Sequence, residues 1–154
     1  MPPTILITGA SGFIGGRIAA RLHAEGRHVV GLDRRPPRGG APFPVVEADV
    51  NDVHRLYAAV HGRDLEAIVH CGGLSGLMVG RDNPFMICET NIRGTAQVFE
   101  LARRLRPRRV VFCSSISAYG NPPIDTLVTE DTPLVPTTVY GASKAAGEAI
   151  LGAY

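Results

Sequence analysis

Ile5-Leu-Ile-Thr-Gly-Ala-Ser-Gly-Phe-Ile-Gly15 decides how the rest of this 154-residue chain is read. A short apolar run set directly before a glycine-rich turn has the length and composition of a buried parallel strand. After Ser11, the positions Ile14, Ile18 and Leu22 recur every four residues and predict an amphipathic helix that closes at Gly26. His28 to Leu32 returns to strand character and finishes at Asp33. Strand, glycine turn, helix and strand together make a βαβ unit of about thirty residues.

The alternation continues along the chain. Arg34 to Pro44 is rich in proline and glycine and reads as a loop. Val45-Val46 opens a third strand ending near Asp49, and Asn51 or Asp52 is placed to cap a helix carrying Val53, Leu56, Tyr57 and Val60. Leu65 to His70 is a fourth strand closed by Gly72-Gly73, Pro84 to Arg104 reads as one long helix, and Arg109 to Cys113 is a fifth strand. Tyr119 to Thr138 is a proline-rich loop whose length points to function. A last helix starts at Val139, with Ala142, Ala145, Ala146, Ala149 and Ile150 as a small-residue packing face. The expected fold is α/β, a doubly wound parallel sheet of about five strands with right-handed crossovers.

Composition narrows the function classes. A hydrophobic share of 45% against 19% charged is that of one ordinary globular domain. The net charge of +2 is dispersed except at Arg103, Arg104, Arg106, Arg108 and Arg109. That cluster falls where a helix ends and a strand begins, and no aromatic residues interleave it, so a solvated helix terminus is expected and nucleic acid is not. No apolar run approaches the roughly 20 residues needed to span a bilayer, and the N-terminus lacks a secretory pattern, so the expectation is a cytoplasmic protein without membrane contact. Cys71, Cys88 and Cys113 are read as separate, buried, reduced thiols, and neither they nor the five histidines show metal-ligand spacing. No metal is expected.

The chemistry sits at both ends of the chain. Gly9, Gly12 and Gly15 between strand and helix allow a dinucleotide pyrophosphate to approach the backbone and the helix amides. Asp33, at the end of the second strand, is placed to accept hydrogen bonds from both adenosine ribose hydroxyls and to repel a 2′-phosphate, which favours NAD over NADP. Arg34 and Arg35 keep NADP as the less favoured alternative. Tyr140 and Lys144 lie one helical turn apart on one face. A phenol is a poor base near neutrality, and an ammonium beside it favours the phenolate, so the pair suits proton transfer. Serines at the end of the fifth strand, Ser114 and Ser115, are placed to hold the oxygen that exchanges that proton.

Taken together, the turn at Thr8 to Gly15, Asp33, Asp49-Val50, His70-Cys-Gly-Gly73, Asn91-Ile-Arg-Gly-Thr95, Ser114-Ser115 with Tyr119-Gly120, and Tyr140-Gly-Ala-Ser-Lys144 resemble the extended short-chain dehydrogenase/reductases, the NAD-dependent epimerase/dehydratase group. The resemblance runs from Thr4 to Tyr154 and implies a Rossmann-type fold with the strand order 3-2-1-4-5. It implies backbone amides of Phe13 and Ile14 on the pyrophosphate, Asp49 and Val50 at the adenine, and Cys71, Gly72 and Gly73 lining the cofactor in place of a more usual H-x-A-A. It also implies Asn91 near the active site, Ser115 as the catalytic hydroxyl with Ser114 beside it, Tyr140 as acid/base, and Lys144 on the nicotinamide ribose. The implied activity is hydride transfer on a sugar, nucleotide sugar or sugar acid, as an oxidoreductase or epimerase. Ile116 and Ser117 stand where the group's dehydratases carry an acidic pair, which disfavours dehydration.

The resemblance thus implies that residues 1–154 are the dinucleotide-binding domain of that group, and the expectation is a domain incomplete at its C-terminal side and without the substrate domain. A binding module lacking turnover is the alternative. A homodimer through the helices of Asn91 and Tyr140 is a further implication. Leu74 to Arg81 is the expected substrate-side loop.

Overall fold

The β-branched and aliphatic runs noted above form a single parallel sheet. The computed structural model describes residues 2–75 and 82–154. Its elements are β1 (Thr4–Thr8), α1 (Phe13–Ala24), β2 (His28–Asp33), β3 (Val45–Glu47), α2 (Val53–Ala58), β4 (Leu65–His70), α3 (Pro84–Ile87), a π-helical segment (Cys88–Arg93), α4 (Gly94–Leu105), β5 (Arg109–Phe112), a short 3-10 turn (Ile116–Tyr119) and α5 (Val139–Ala153). The strand order is β3-β2-β1-β4-β5, all parallel, as the resemblance implies. Every residue of β1 is buried, as a central strand covered on both faces requires.

Two cores lie on the two faces of the sheet. One gathers Leu6, Leu32, Leu56, Ile68, Val98, Phe99 and Leu101 beneath α2 and α4. The other holds Ile5, Ile7, Ala19, Val29, Phe43 and Val69 beneath α1. Both put the C-terminal ends of β1, β2, β4 and β5 along one rim, where doubly wound sheets bind ligands.

Several expectations are corrected. The predicted long helix from Pro84 to Arg104 is interrupted by the π-helical segment, a departure that residue periodicity does not register. In α1 the buried residues are Gly15 and Ala19, while Ile14 is turned outward at the rim. In α5 the inward face is Gly141, Ser143, Lys144 and Gly147, and Ala142 and Ala149 are exposed. The reason is spatial: a Cβ at Gly147 would stand 2.5–2.7 Å from the Phe112 ring, so only glycine lets the helix sit against it. The third strand stops at Glu47, and of the two cap candidates Asp52 accepts from the Arg55 amide.

The arginine cluster caps α4, as expected for a solvated terminus. Arg106 takes the left-handed conformation (φ 51°) that ends the helix, and Arg103 and Arg104 both bind Glu100. Among the described residues, no helix is long and apolar enough to cross a membrane, and no group of three or more His, Cys, Asp or Glu is arranged to hold a metal ion.

Candidate functional site

The rim begins with the glycine turn. Gly9 has φ +69°, and a Cβ there would lie 2.8 Å from the backbone of Cys71 and Gly72, so glycine is needed for both conformation and close approach. Gly15 packs against the Gly9 backbone, which seats α1 tightly on β1. Gly12 is the N-cap of α1, no side chain caps that helix, and its first turn carries no acid. The start of a 12-residue helix therefore presents amide donors and the positive end of its dipole, the chemistry that binds phosphate.

Asp33 stands at the end of β2 beside this turn. Its carboxylate accepts the Ser11 amide at 3.0 Å and the Arg35 amide at 3.1 Å, which fixes it at the mouth of the turn. Arg34 reaches Asp49 at 3.7 Å, and Asp49 also accepts the Asn51 amide at 2.8 Å. Asp33, Arg34, Asp49 and Val50 share one cavity with Gly9, Gly12, Cys71, Gly72 and Gly73, and Leu32, Ala48 and Thr90 complete its apolar wall. A dinucleotide fits this donor set: a glycine cradle that a Cβ would fill, an uncapped helix end, and a carboxylate at the neighbouring strand end.

A second cavity adjoins the first through Cys71, Gly73 and Leu74, and it is also lined by Ile14, Ser75, Cys113, Ser114, Tyr140 and Lys144. The structure thus brings Tyr140, Lys144 and Ser114 together with the helix start at Ile14. Lys144 is buried, donates to the Cys113 carbonyl at 2.8 Å, and lies 4.8 Å from the Phe112 ring and 6.0 Å from the Tyr140 ring. Burial pushes its ammonium below the ordinary lysine value, with the Cys113 and Cys71 thiols opposing that shift.

The two serines occupy different positions. Ser114 lines the cavity and donates to Glu148, one turn beyond Lys144 on α5. Ser115 caps the 3-10 turn, its hydroxyl oxygen accepting the Ser117 amide at 3.2 Å. That geometry leaves the Ser115 proton free to donate.

Asn91 lies in the π-helical segment and is buried. Its side-chain oxygen accepts the Leu74 amide at 2.7 Å, and its nitrogen donates to the Leu74 carbonyl and to Ser143 Oγ, each at 3.0 Å. Ser143 in turn donates to the Tyr140 carbonyl at 2.7 Å. One amide therefore joins the segment after β4 to the turn of α5 between Tyr140 and Lys144. Gly73 passes close to this link, where a Cβ would lie 3.1 Å from the Asn91 oxygen. The expected substrate-side loop is described only at Leu74 and Ser75, and residues 76–81 lie outside the described residues.

Sequence reasoning passed over three partners. His70 bridges Thr8 Oγ1 at 2.5 Å and Thr95 Oγ1 at 2.9 Å, and stacks on Phe112 at 5.7 Å. Glu148, which accepts from the Ser114 hydroxyl, lies in no motif that marks it. Cys71 and Cys113 were read as separate buried thiols; instead both are half-buried and their sulfurs stand 3.3 Å apart, because residues 71 and 113 follow the paired ends of β4 and β5.

Comparison with known proteins agrees with this architecture. The chain is 35% identical to a UDP-glucose 4-epimerase of Mycolicibacterium smegmatis over 159 residues, covering 97% of this chain and 50% of that protein. It is 30% identical to UDP-glucuronate 4-epimerase 4 of Arabidopsis thaliana, covering 98% of this chain and 38% of that one. Among solved structures, the UDP-glucose 4-epimerase of Thermus thermophilus in complex with NAD superposes with a TM-score of 0.89 at 28% identity, over 98% of this chain and 50% of that chain. A short-chain dehydrogenase/reductase superfamily protein of Agrobacterium tumefaciens with bound NAD gives 0.83 at 34% identity, over 96% of this chain and 44% of that chain. The chain thus spans half or less of the length of these relatives. The model of the NAD dependent epimerase/dehydratase family matches residues 5–154, and the chain belongs to that family.

Proposed function

We propose that the two adjoining cavities form the cofactor-binding and acid/base half of an NAD-dependent epimerase or oxidoreductase acting on a nucleotide sugar or related sugar acid. The observation that carries this reading is the meeting of Tyr140, Lys144 and Ser114 with the start of α1 in one cavity, which continues into the cavity of Asp33. The relatives that superpose include proteins crystallised with NAD and with UDP-glucose, which supports both the cofactor and the substrate class.

In this reading the amides of Phe13 and Ile14 bind pyrophosphate, Asp33 the adenosine ribose, and Asp49 and Val50 the adenine side. Arg34 is turned to Asp49, which supports NAD over NADP. Cys71, Gly72 and Gly73 form the wall between the cavities. NAD supplies the hydride acceptor and donor.

The chain's own residues move the proton. Tyr140 takes the hydroxyl proton of a carbinol and returns it, while Ser115, with Ser114 beside it, holds the same oxygen. Lys144, held on the Cys113 carbonyl, places a positive charge beside the cofactor ribose and the phenol. Asn91 positions rather than reacts, because its amide is fully engaged by Leu74 and Ser143. Residues 1–154 are then a dinucleotide-binding domain. A homodimer through the exposed small-residue side of α5 and a cytoplasmic location complete the proposal.

A binding module without turnover is the second reading. Titration with NAD, followed by assay of hydride transfer across a panel of nucleotide sugars and uronates, separates the two. Turnover that falls by at least about a hundredfold in Tyr140→Phe, with NAD affinity held within about twofold, supports the first reading. Binding without transfer selects the second. A folded protein that does not bind NAD overturns both, and a monomer in sedimentation removes the dimer.

A further inference from the structure

The mechanism uses neither thiol of the Cys71 and Cys113 pair, yet the two sulfurs lie 3.3 Å apart, with Cys71 lining both cavities and Cys113 the second. We propose that Cys71 and Cys113 are a redox-sensitive dithiol that closes to an intramolecular disulfide with a low-molecular-weight disulfide as oxidant, and that closure weakens binding in the cleft.

The backbone already holds the pair in register. Cys71 donates its amide to Thr8 O at 3.2 Å, and Cys113 donates to His70 O at 3.0 Å, so both residues extend the hydrogen-bond ladder of β1, β4 and β5. Adjacent strands are about 4.8 Å apart, inside the range of roughly 4.4–6.8 Å between Cα atoms that a disulfide accepts. Both residues are half-buried and line a cavity, so a small reagent can reach them. Cys88, the third cysteine, lies in the π-helical segment and lines neither cavity.

Electrostatics sets the order of events. Burial pushes the Cys71 thiol up to about 12, reinforced by its hydrogen bond to Cys113 and opposed by Lys144. The raised value makes Cys71 the second sulfur to react rather than the first. The Cys113 thiolate attacks one sulfur of the reagent disulfide, forming a mixed disulfide and releasing one reagent thiolate. Cys71 then gives up its proton to the released thiolate and its sulfur attacks Cys113 Sγ, breaking the mixed S–S bond and releasing the second reagent thiolate. Two S–H bonds and the reagent S–S bond are lost, one protein S–S bond and two reagent thiols are made, and the two protons pass to the released thiolates. The protein loses two electrons and the reagent gains them.

Closure must disturb its surroundings. The sulfurs have to approach from 3.3 Å to about 2.05 Å. Cys71 backbone atoms are in contact with Gly9 of the glycine turn, and the Cys113 carbonyl anchors Lys144 at 2.8 Å. Movement of either residue shifts a wall of the cleft or the anchor of the lysine. This effect on binding rests on the NAD reading above; the bond-forming step does not.

The test exposes the reduced whole chain to oxidised glutathione, then reads intact mass, disulfide mapping and NAD titration. The expected product has lost two hydrogens, carries a Cys71–Cys113 link with Cys88 still free to alkylate, and reverts with dithiothreitol. NAD affinity is expected to weaken by about fivefold or more on oxidation and to recover on reduction. Cys88→Ser should close as the parent does, whereas Cys113→Ser should give only glutathione adducts. Stable adducts on both residues without closure, or a link through Cys88, would overturn the proposal, as would closure with unchanged NAD affinity. If the reduced, folded protein fails to bind NAD, the functional reading falls while the mass result still decides the dithiol.

Discussion

His70 shows how one residue ties the rim together. It is fully buried, held between Thr8 on β1 and Thr95 on α4, and Thr8 also accepts the Gly72 amide at 3.1 Å. Burial, reinforced by the Lys144 charge, lowers its pKa from 6.5 to about 3. Between those values the unfolded chain binds a proton that the folded chain does not. This contribution to stability is therefore complete above pH 6.5 and is lost as pH falls toward 3. The slope is at most about 1.4 kcal/mol per pH unit. Urea unfolding of the parent and of His70→Gln at pH 7 and pH 5 should show a smaller pH-dependent loss in the variant, and equal losses would refute the assignment. The histidine was visible in the sequence only as part of a motif; its partners come from strands and helices far apart in the chain.

At the scale of elements, α5 illustrates how packing overrules periodicity. Alanines mark a small-residue face in the sequence, but Phe112 on β5 selects Gly147 instead, and Lys144 must turn inward to reach Cys113. Gly147→Ala gains the ordinary helix preference for alanine, about 1 kcal/mol, but meets the Phe112 ring at 2.5–2.7 Å. The ring stacks on His70 and meets Phe99 edge-on, so displacing it costs those contacts and the clash prevails. Thermal unfolding should show a net loss of about 1–2 kcal/mol. Gly152, where a Cβ would meet nothing within 4 Å, is the control. Gly152→Ala should be neutral or stabilising by up to about 1 kcal/mol, and a loss at Gly152 matching that at Gly147 would sink the steric argument. The π-helical segment is a further element invisible to pattern reading, although it directs Asn91 toward Leu74 and Ser143.

For the whole molecule, the two cavities lie on one rim of a sheet whose two faces are separately packed. A ligand that binds the folded rim and not the unfolded chain raises stability by mass action. At a hundredfold excess over its Kd, NAD should contribute about 2.7 kcal/mol, which for a domain of this size is a rise in Tm of about 5–10 °C. Calorimetry with NAD and NADP side by side checks this, and a larger shift with NADP would reverse the role given to Asp33. The arginine contacts to surface acids at Glu25, Glu89 and Glu100 are exposed and screened, and add little to this balance.

The sequence by itself determined the alternation of strands and helices, the glycine turn, Asp33 at a strand end, and the Tyr140 and Lys144 pair. Each of these is written in local terms: an apolar run, a spacing of one helical turn, or a residue that only a tight turn requires. Tertiary structure alone decided that Ser114 faces the cavity while Ser115 caps a turn, that Asn91 serves as a clamp, and that Cys71 and Cys113 touch. Those facts depend on how neighbouring strands align across 42 residues of chain and on which glycine a phenyl ring leaves room for. Spacing along the chain carries no record of distances across a sheet, and packing against distant side chains sets them.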